Sequence, residues 1–404
     1  MLLLWGGPKL FSKYAVLEES GNGVLIPPAT NSGSTTAVFN STVSVDFSAD
    51  EFERYSRQLV LRDIGFEGQK RLRKASVCVV GVGGLGCQAA MTLAAMGVGK
   101  IRIVDRDIVE LSNLHRQSFF DVSSLGLPKV EIVAQKIAAL NPSVLVEPIP
   151  DSLHLGNARE IIGGVDLVVD GLDSMGARYA VNRACLKLGI PYVYGSALES
   201  YGMVSVIIPR ETACLECIIP HAYDNAPTCA TVGVHPAVLG VVLSIEVSEA
   251  VRMIVEGRSL LSGKILFVDL KYLAFDEFSV SRSETCPACG AFESSPPESS
   301  KRRTVEEVCG RRGVRSFIAS PSKTLEIDPS RFATILRSNG FRILGVSKLS
   351  VTFRKEENVE YTLLSRGVII VRGDLELKDV EKSSRLLWDL AKTELSFNAP
   401  LGGP

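Results

Sequence analysis

Between residue 75 and about residue 210, short β-rich runs alternate with helical runs, and this alternation constrains the fold more than any other feature of the chain. The strand candidates are VCVVGV, KIRIVD, VEPIP, VDLVVDG, PYVYGSA and MVSVIIP. Helices are predicted over 87–96, 128–140, 157–162 and 175–189. Strands joined through helices run parallel, because the crossover returns the chain to the starting end of the sheet. Strands this apolar must also be covered on both faces. The expected fold is therefore α/β, a doubly wound, Rossmann-like, mostly parallel sheet. A further helix is predicted from about His235 to Val255, followed by the strands ILFVDL and LAFDEFSV.

The flanks read differently. Residues 1–46 form an extension with little helical pattern and no legible role. The stretch 47–290 opens with a helix start at Ser48-Ala49-Asp50-Glu51, an N-cap with carboxylates in the first turn. Leu59, Val60 and Leu61 would give that helix its apolar face. Residues 291–303, AFESSPPESSKRR, have linker composition. The remainder, 304–404, is predicted as a small α+β domain. RFATILRSNG and LKDVEKSSRLLWDLAK are its helices, with SKLSVTFR, NVEYTLL and GVIIVRG as its strands.

Residues 79–86, VVGVGGLG, place Gly81, Gly83 and Gly86 at a strand–turn–helix junction, the setting for a nucleotide phosphate at a helix N-terminus. Asp105 closes the next strand 19 positions after Gly86, where a carboxylate grips ribose hydroxyls. These two features favour an adenine nucleotide without separating NAD from ATP. A dinucleotide-dependent oxidoreductase is thus one reading of the glycines.

The residues that follow choose between them. Asp105-Arg106-Asp107-Ile108-Val109-Glu110-Leu111-Ser112-Asn113-Leu114-His115-Arg116-Gln117, with Arg54-Tyr55-Ser56-Arg57-Gln58 upstream, resembles the E1-like family of MoeB, ThiF and the ubiquitin-activating enzymes. That family's signatures are R-Y-x-R-Q, G-x-G-G-L-G, D-x-D-x-V-x-x-S-N-L-x-R-Q, G-x-x-K and D-x-x-x-x-R. All occur in order, the last two as Gly126-Leu127-Pro128-Lys129 and Asp173-Ser174-Met175-Gly176-Ala177-Arg178. The resemblance spans roughly residues 50–290. Ser174 departs from the family's usual Asn.

The resemblance implies an enzyme that joins a carrier protein's C-terminal glycine carboxylate to AMP and releases pyrophosphate. Meeting a triphosphate with a carboxylate brings like charges together, so cations are required. Arg116 and Lys129 suit the phosphates, and Asp173, placed at the end of VDLVVDG, suits Mg²⁺. Gly83, Gly84, Asp105, Ser112, Asn113, Gln117 and Ser174 complete the implied ATP contacts. Asn113 would bond phosphate or steady Arg116. Arg57 would reach into a neighbouring subunit's site, which makes a homodimer the expected assembly.

Nine cysteines include two C-x-x-C pairs, Cys214/Cys217 and Cys286/Cys289, separated by 68 residues. Two such knuckles favour a closed, tetrahedral, structural Zn²⁺ site over a redox role. Cys229, in PTCATVGV ahead of the helix from 235, is the candidate nucleophile. Its position in a C-x-x-x-G-V stretch after the first knuckle is similar to that of the acyl- or persulfide-forming cysteine of E1-like proteins. Attack of its thiolate on the adenylate would give a thioester. His221 and His235 flank it and are read as satisfied loop histidines, and His115 is given no acid–base role. Cys78, Cys87 and Cys185 are predicted to pack in the core, and Cys309 to be structural.

A net charge of −1, from 44 basic and 45 acidic residues, gives no general field for nucleic acid. No apolar run approaches the roughly 20 residues that cross a bilayer, and MLLLWGGPK lacks the basic n-region of a signal peptide. A cytoplasmic protein is expected. Its partner would be a ubiquitin-like or sulfur-carrier protein ending in Gly-Gly. The main expectation is E1-like transfer onward to an E2-like protein. The alternative is activation of a sulfur carrier for molybdopterin, thiamine or tRNA thiolation. The C-terminal segment has no late cysteine loop of the rhodanese kind. By fold-level analogy it would recruit the partner.

Overall fold

The computed structural model describes residues 15–16, 25–26, 47–220, 231–290, 296, 303–311 and 314–397. Cys229, His221, most of the 1–46 extension and all of the expected linker except Pro296 and Arg303 lie outside the described residues. The chain divides into two compact units, residues 1–62 and 63–404.

The first unit carries a short antiparallel pair, β1 (Ala15–Val16) and β2 (Leu25–Ile26), and the helix α1 (Ala49–Leu59). Ser48 caps α1 as predicted. Its hydroxyl accepts from the Glu51 amide, and the Glu51 carboxylate accepts from the Ser48 amide. Tyr55 and Leu59 are its buried residues. Val60 and Leu61 lie past its end and are exposed, so they do not extend its apolar face.

The second unit opens with α2 (Gly65–Lys74), β3 (Ser76–Val80), α3 (Gly86–Ala95), β4 (Lys100–Val104), α4 (Lys129–Leu140), β5 (Leu145–Ile149), α5 (Ala158–Ile162), β6 (Leu167–Asp170) and α6 (Met175–Leu188). It continues through β7 (Tyr192–Leu198), β8 (Tyr201–Ile207), α7 (Leu215–Ile218), α8 (Pro236–Glu256), β9 (Lys264–Asp269) and β10 (Ala274–Ser279). These strands form one eight-stranded sheet in the order β10-β9-β8-β7-β6-β3-β4-β5. From β5 to β7 the pairing is parallel, and from β7 to β10 it is antiparallel. The strand order turns back between β3 and β6, so the crevice beyond their C-terminal ends is the natural ligand position in an open α/β sheet.

Buried Val, Ile and Ala side chains on β3, β4, α3, α4 and α8 form the core on one face of this sheet. The other face is packed by α5, α6 and the cysteine knuckles. The helix α2 escaped the sequence reading because its GFEGQKRLRK is polar and glycine-containing. It packs on α8, and a Cβ on Gly68 would meet Val255 Cγ1 at 2.8 Å.

Residues 304–404 hold β11 (Val305–Arg311), β12 (Val314–Ala319), α9 (Pro329–Ser338), β13 (Arg342–Val346), β14 (Ser350–Arg354), β15 (Glu360–Leu364), β16 (Ile369–Arg372) and α10 (Leu377–Phe397). Their antiparallel sheet runs β11-β12-β16-β15-β14-β13. Both helices and the last three strands follow the predicted pattern, while β11, β12 and β13 were not legible. No described helix is long and apolar enough to cross a membrane.

Candidate active site

The glycine turn sits at the β3/β6 crevice. Gly81 takes φ +80°, a left-handed conformation that favours glycine. Its carbonyl oxygen would lie 1.8 Å from a Cβ on Gly86, so α3 starts against the turn only because residue 86 has no side chain. A Cβ on Gly81 would itself meet the Gly171 carbonyl at 2.6 Å, which locks the turn to the loop after β6. No side chain caps α3; its Cys87 amide already donates to Gly83 O at 3.2 Å, so a phosphate would be met by the other amides of the turn. Gly83 faces the Gln117 side chain, whose Nε2 would lie 3.7 Å from an added Cβ, and Gly84 lies under Leu239.

Asp105 follows β4 and turns back onto the glycine loop. Its carboxylate accepts from the Val82 amide and the Asp107 amide, both at 2.8 Å. Burial pushes its carboxyl up to about 6, against the pull of Lys129. Lys129 opens α4 as predicted, nearly buried, and its Nζ donates to Asp107 Oδ2 at 2.8 Å. Burial alone would depress the ammonium, but Asp107 and Asp105, with Asp173 adding to them, hold it well above its ordinary range. Asp107 is held below its usual range because Lys129 and Arg106 outweigh burial. An antiparallel bridge between Ile108 and Pro128, with the Lys129 amide donating to Asp107 O at 2.9 Å, fixes the two segments side by side.

The signature after Asp107 folds into a 3₁₀ turn, Leu111–Asn113. Asn113 is buried, and its Oδ1 accepts from the Glu110 amide at 2.9 Å, so it braces its own turn. Arg116 donates to Ser112 O at 2.8 Å. His115 Nδ1 lies 3.0 Å from the same carbonyl. Ser112 Oγ and Gln117 Oε1 are buried without a hydrogen-bond partner, as expected of polar atoms shaped for a ligand.

The loop after β6 departs from the sequence reading in one respect. The strand ends at Asp170, so Asp173 does not end it but lies three residues beyond, exposed, beside exposed Ser174. Arg178 pairs with Asp170, Nε to Oδ2 at 3.0 Å, and donates to Leu172 O and Gly195 O at 2.6 and 2.9 Å. Tyr192 donates to the same Asp170 oxygen at 2.6 Å. The D-x-x-x-x-R spacing therefore joins two jobs. Arg178 and Asp170 brace the loop from beneath, and Asp173 rides on top. Charge from Asp173 reaches both Lys129 and Arg106.

Asp107, Arg106 and Asp170 are the residues that sequence reasoning passed over. The signal was present, since a buried lysine requires a carboxylate and Asp105-Arg106-Asp107 offers two. Arg57 is exposed in the last turn of α1, in the first unit. His235 caps α8, its Nδ1 accepting from the Ala237 amide at 3.1 Å.

The four predicted metal ligands converge. Their sulfurs all lie within 4.8 Å of one another, with Cys214–Cys286 at 3.6 Å and Cys217–Cys289 at 3.4 Å. A tetrahedron with Zn–S bonds of about 2.3 Å has edges of about 3.8 Å, close to the sulfur separations of 3.4, 3.6 and 4.0 Å, so the four thiols suit a zinc ion. Burial and the three neighbouring thiols push the Cys214 thiol far up, a conflict that a cation resolves. Glu216, between the first pair, is fully buried and makes a bidentate pair with Arg183 at 2.9 Å; Arg183 also donates to Pro287 O at 3.3 Å. Asn182 Oδ1 accepts from the Leu215 amide at 3.0 Å, so α6 orients both knuckles. Cys78 and Cys87 are core residues, their thiols pushed to about 12 by burial, and Cys185 is shifted the same way.

The SAMP-activating enzyme E1 of Haloferax volcanii is 38% identical over 251 residues, covering 62% of this chain and 92% of its own. A sulfur carrier protein adenylyltransferase of Thermus thermophilus is 38% identical over 275 residues, covering 66% and 99%. A crystal structure of E. coli MccB with MccA-N7isoASN shares the fold at a TM-score of 0.53 and 23% identity, covering 59% of this chain and 75% of that one. The model of the ThiF family matches residues 55–288, and the chain belongs to that family.

Proposed function

We propose that this protein is an adenylyltransferase that uses ATP and Mg²⁺ to activate the C-terminal glycine of a small Gly-Gly-ending carrier protein. The observation that carries the reading is Lys129. It is a buried cation held by Asp107 at the mouth of the β3/β6 crevice, beside an uncapped helix N-terminus and Asp105.

Asp105 would take the ribose hydroxyls, and the amides of Gly83 and Gly84 would approach the phosphates. Ser112, Asn113, Gln117 and Ser174 would line the nucleotide. Arg116 and Lys129 would offset the charge that builds as a carrier carboxylate oxygen bonds to the α-phosphorus. The bond from that phosphorus to the bridging oxygen breaks, and pyrophosphate leaves. Mg²⁺, when bound, screens the phosphates from each other, and Asp173 is the residue to hold it. Arg57 would complete the site of the second subunit in a homodimer.

Relatives named as a sulfur carrier protein adenylyltransferase and a molybdopterin-synthase adenylyltransferase support sulfur-carrier activation over onward transfer to an E2-like protein. The relative named as an E1 supports keeping a thioester at Cys229 as the second reading. One experiment tests both. With ATP, Mg²⁺ and candidate Gly-Gly-ending proteins, the chain should catalyse pyrophosphate–ATP exchange, and Asp173→Ala should abolish it. Exchange that survives this change removes the metal role of Asp173. Intact mass of the same mixture, with and without reductant, should show a thiol-labile adduct that Cys229→Ala loses while keeping exchange. Loss of exchange as well makes Cys229 structural.

A further inference from the structure

The six-stranded sheet of residues 304–404 has α9 and α10 on one face, packed on Phe317, Leu363, Ile369 and Val371. Its other face receives Ile108. That side chain is 4% exposed and packs among Ile318, Leu364, Val368 and Ile370. Ile108 lies next to Asp107 and forms the bridge to Pro128 that sets Lys129 beside Asp107. The sheet therefore grips the strip of chain on which the nucleotide residues are mounted.

Three polar contacts reach the same strip. Glu306 on β11 pairs with Arg106 at 3.1 Å. Arg372 on β16 pairs with Glu110, the residue that caps the 3₁₀ turn of Ser112 and Asn113. Glu131, two positions after Lys129 in the first turn of α4, is buried; it accepts from Ser347 Oγ at 2.7 Å and from the Lys348 and Leu349 amides at 3.2 and 3.0 Å. Each clamp lands within two residues of a proposed ATP-site residue, two on the run from Asp105 to Asn113 and one on α4. A merely appended module would not need to meet all three.

We infer that the C-terminal sheet is a positioning element of the nucleotide site, with Arg372 and Glu306 setting the segments that carry Asp105, Asp107, Ser112 and Asn113. The inference rests on the adenylyltransferase reading and assigns residues 304–404 a role in holding ATP, in place of carrier recruitment. Arg372 also contributes charge directly, since its guanidinium helps to hold Asp107 ionised.

The test uses the full chain with ATP, Mg²⁺ and a carrier that supports exchange in the wild type. Arg372→Ala should raise the KM for ATP roughly three- to fivefold, the scale of a partly exposed charge pair. Its KM for the carrier should stay within about twofold. Arg372→Lys should recover most of the loss, and Glu306→Gln should repeat the ATP effect in milder form if Arg372→Ala folds poorly. Arg366→Ala is the control. It breaks the 2.9 Å pair with Asp151, another contact to this sheet but outside residues 105–131, and should lower Tm with the ATP KM unchanged. An unchanged ATP KM in Arg372→Ala and Glu306→Gln overturns the inference, as does a change confined to the carrier KM. A wild-type chain that fails to bind ATP at all overturns the adenylyltransferase reading itself.

Discussion

Asp107 and Asp105 stand two residues apart and do different work. Asp107 neutralises a nearly buried ammonium, but its own side chain is 43% exposed, so losing the pair costs less than the roughly 3–5 kcal/mol of a fully buried one. Asp105 faces the glycine turn and titrates near 6 because burial disfavours its charge. As an anion it accepts two backbone amides and keeps lone pairs for ribose hydroxyls; once protonated it has fewer acceptor sites. The KM for ATP should therefore rise as pH falls from about 7 through about 6. Asp105→Asn should show a high KM that is flat over the same range. A wild-type profile equally flat would count against the ribose role. Because the folded value lies above the ordinary 3.8, the stability this group contributes is fully present below about 4 and lost as pH rises through about 6. The motif spacing made Asp105, Asn113 and Lys129 legible. It could not say which carboxylate of Asp105-Arg106-Asp107 turns toward Lys129, nor that Arg178 answers to Asp170, because side-chain direction is set by packing on other strands.

At the level of elements, the parallel core was legible because each strand is a short apolar run and each helix has its own period. The strands β11 to β13 were not, since VEEVCGR is polar and RILGV is short and largely exposed, so pairing with neighbours defines them. The cysteine knuckles were readable from spacing alone; the bracing by Asn182, Arg183 and Glu216 was not, because the α6 side chains lie 33 residues upstream of their partners in the first knuckle. Metal analysis should find about one zinc per chain, and a strong chelator should lower Tm. Cys286→Ser should lose the metal. A metal-free chain with unchanged Tm would show the cluster to be four reduced thiols packed together.

For the whole molecule, the proposed dimer makes a stricter demand than any single site. If Arg57 acts across the subunit boundary, Arg57→Ala and Asp173→Ala proteins are each inactive but complement one another. Mixed and allowed to exchange subunits, they form half heterodimers with one intact site each, so about a quarter of wild-type exchange activity should return. No recovery would place Arg57 in its own subunit's site or outside catalysis. The near-neutral net charge agrees with a protein whose cations are gathered locally.

The cysteine cluster has a consequence for the unfolded chain as well. Cys217 and Cys286 bracket 68 residues, among them α8, β9, β10 and Cys229. While one metal ion holds all four thiolates, that whole stretch is a closed loop, folded or not. By the chain-entropy measure used for cross-links, closing such a loop removes about 4 kcal/mol of freedom from the disordered ensemble. A metal-loaded chain thus begins refolding with the two ends of its longest detour already together, whereas a stripped chain has to find them by diffusion.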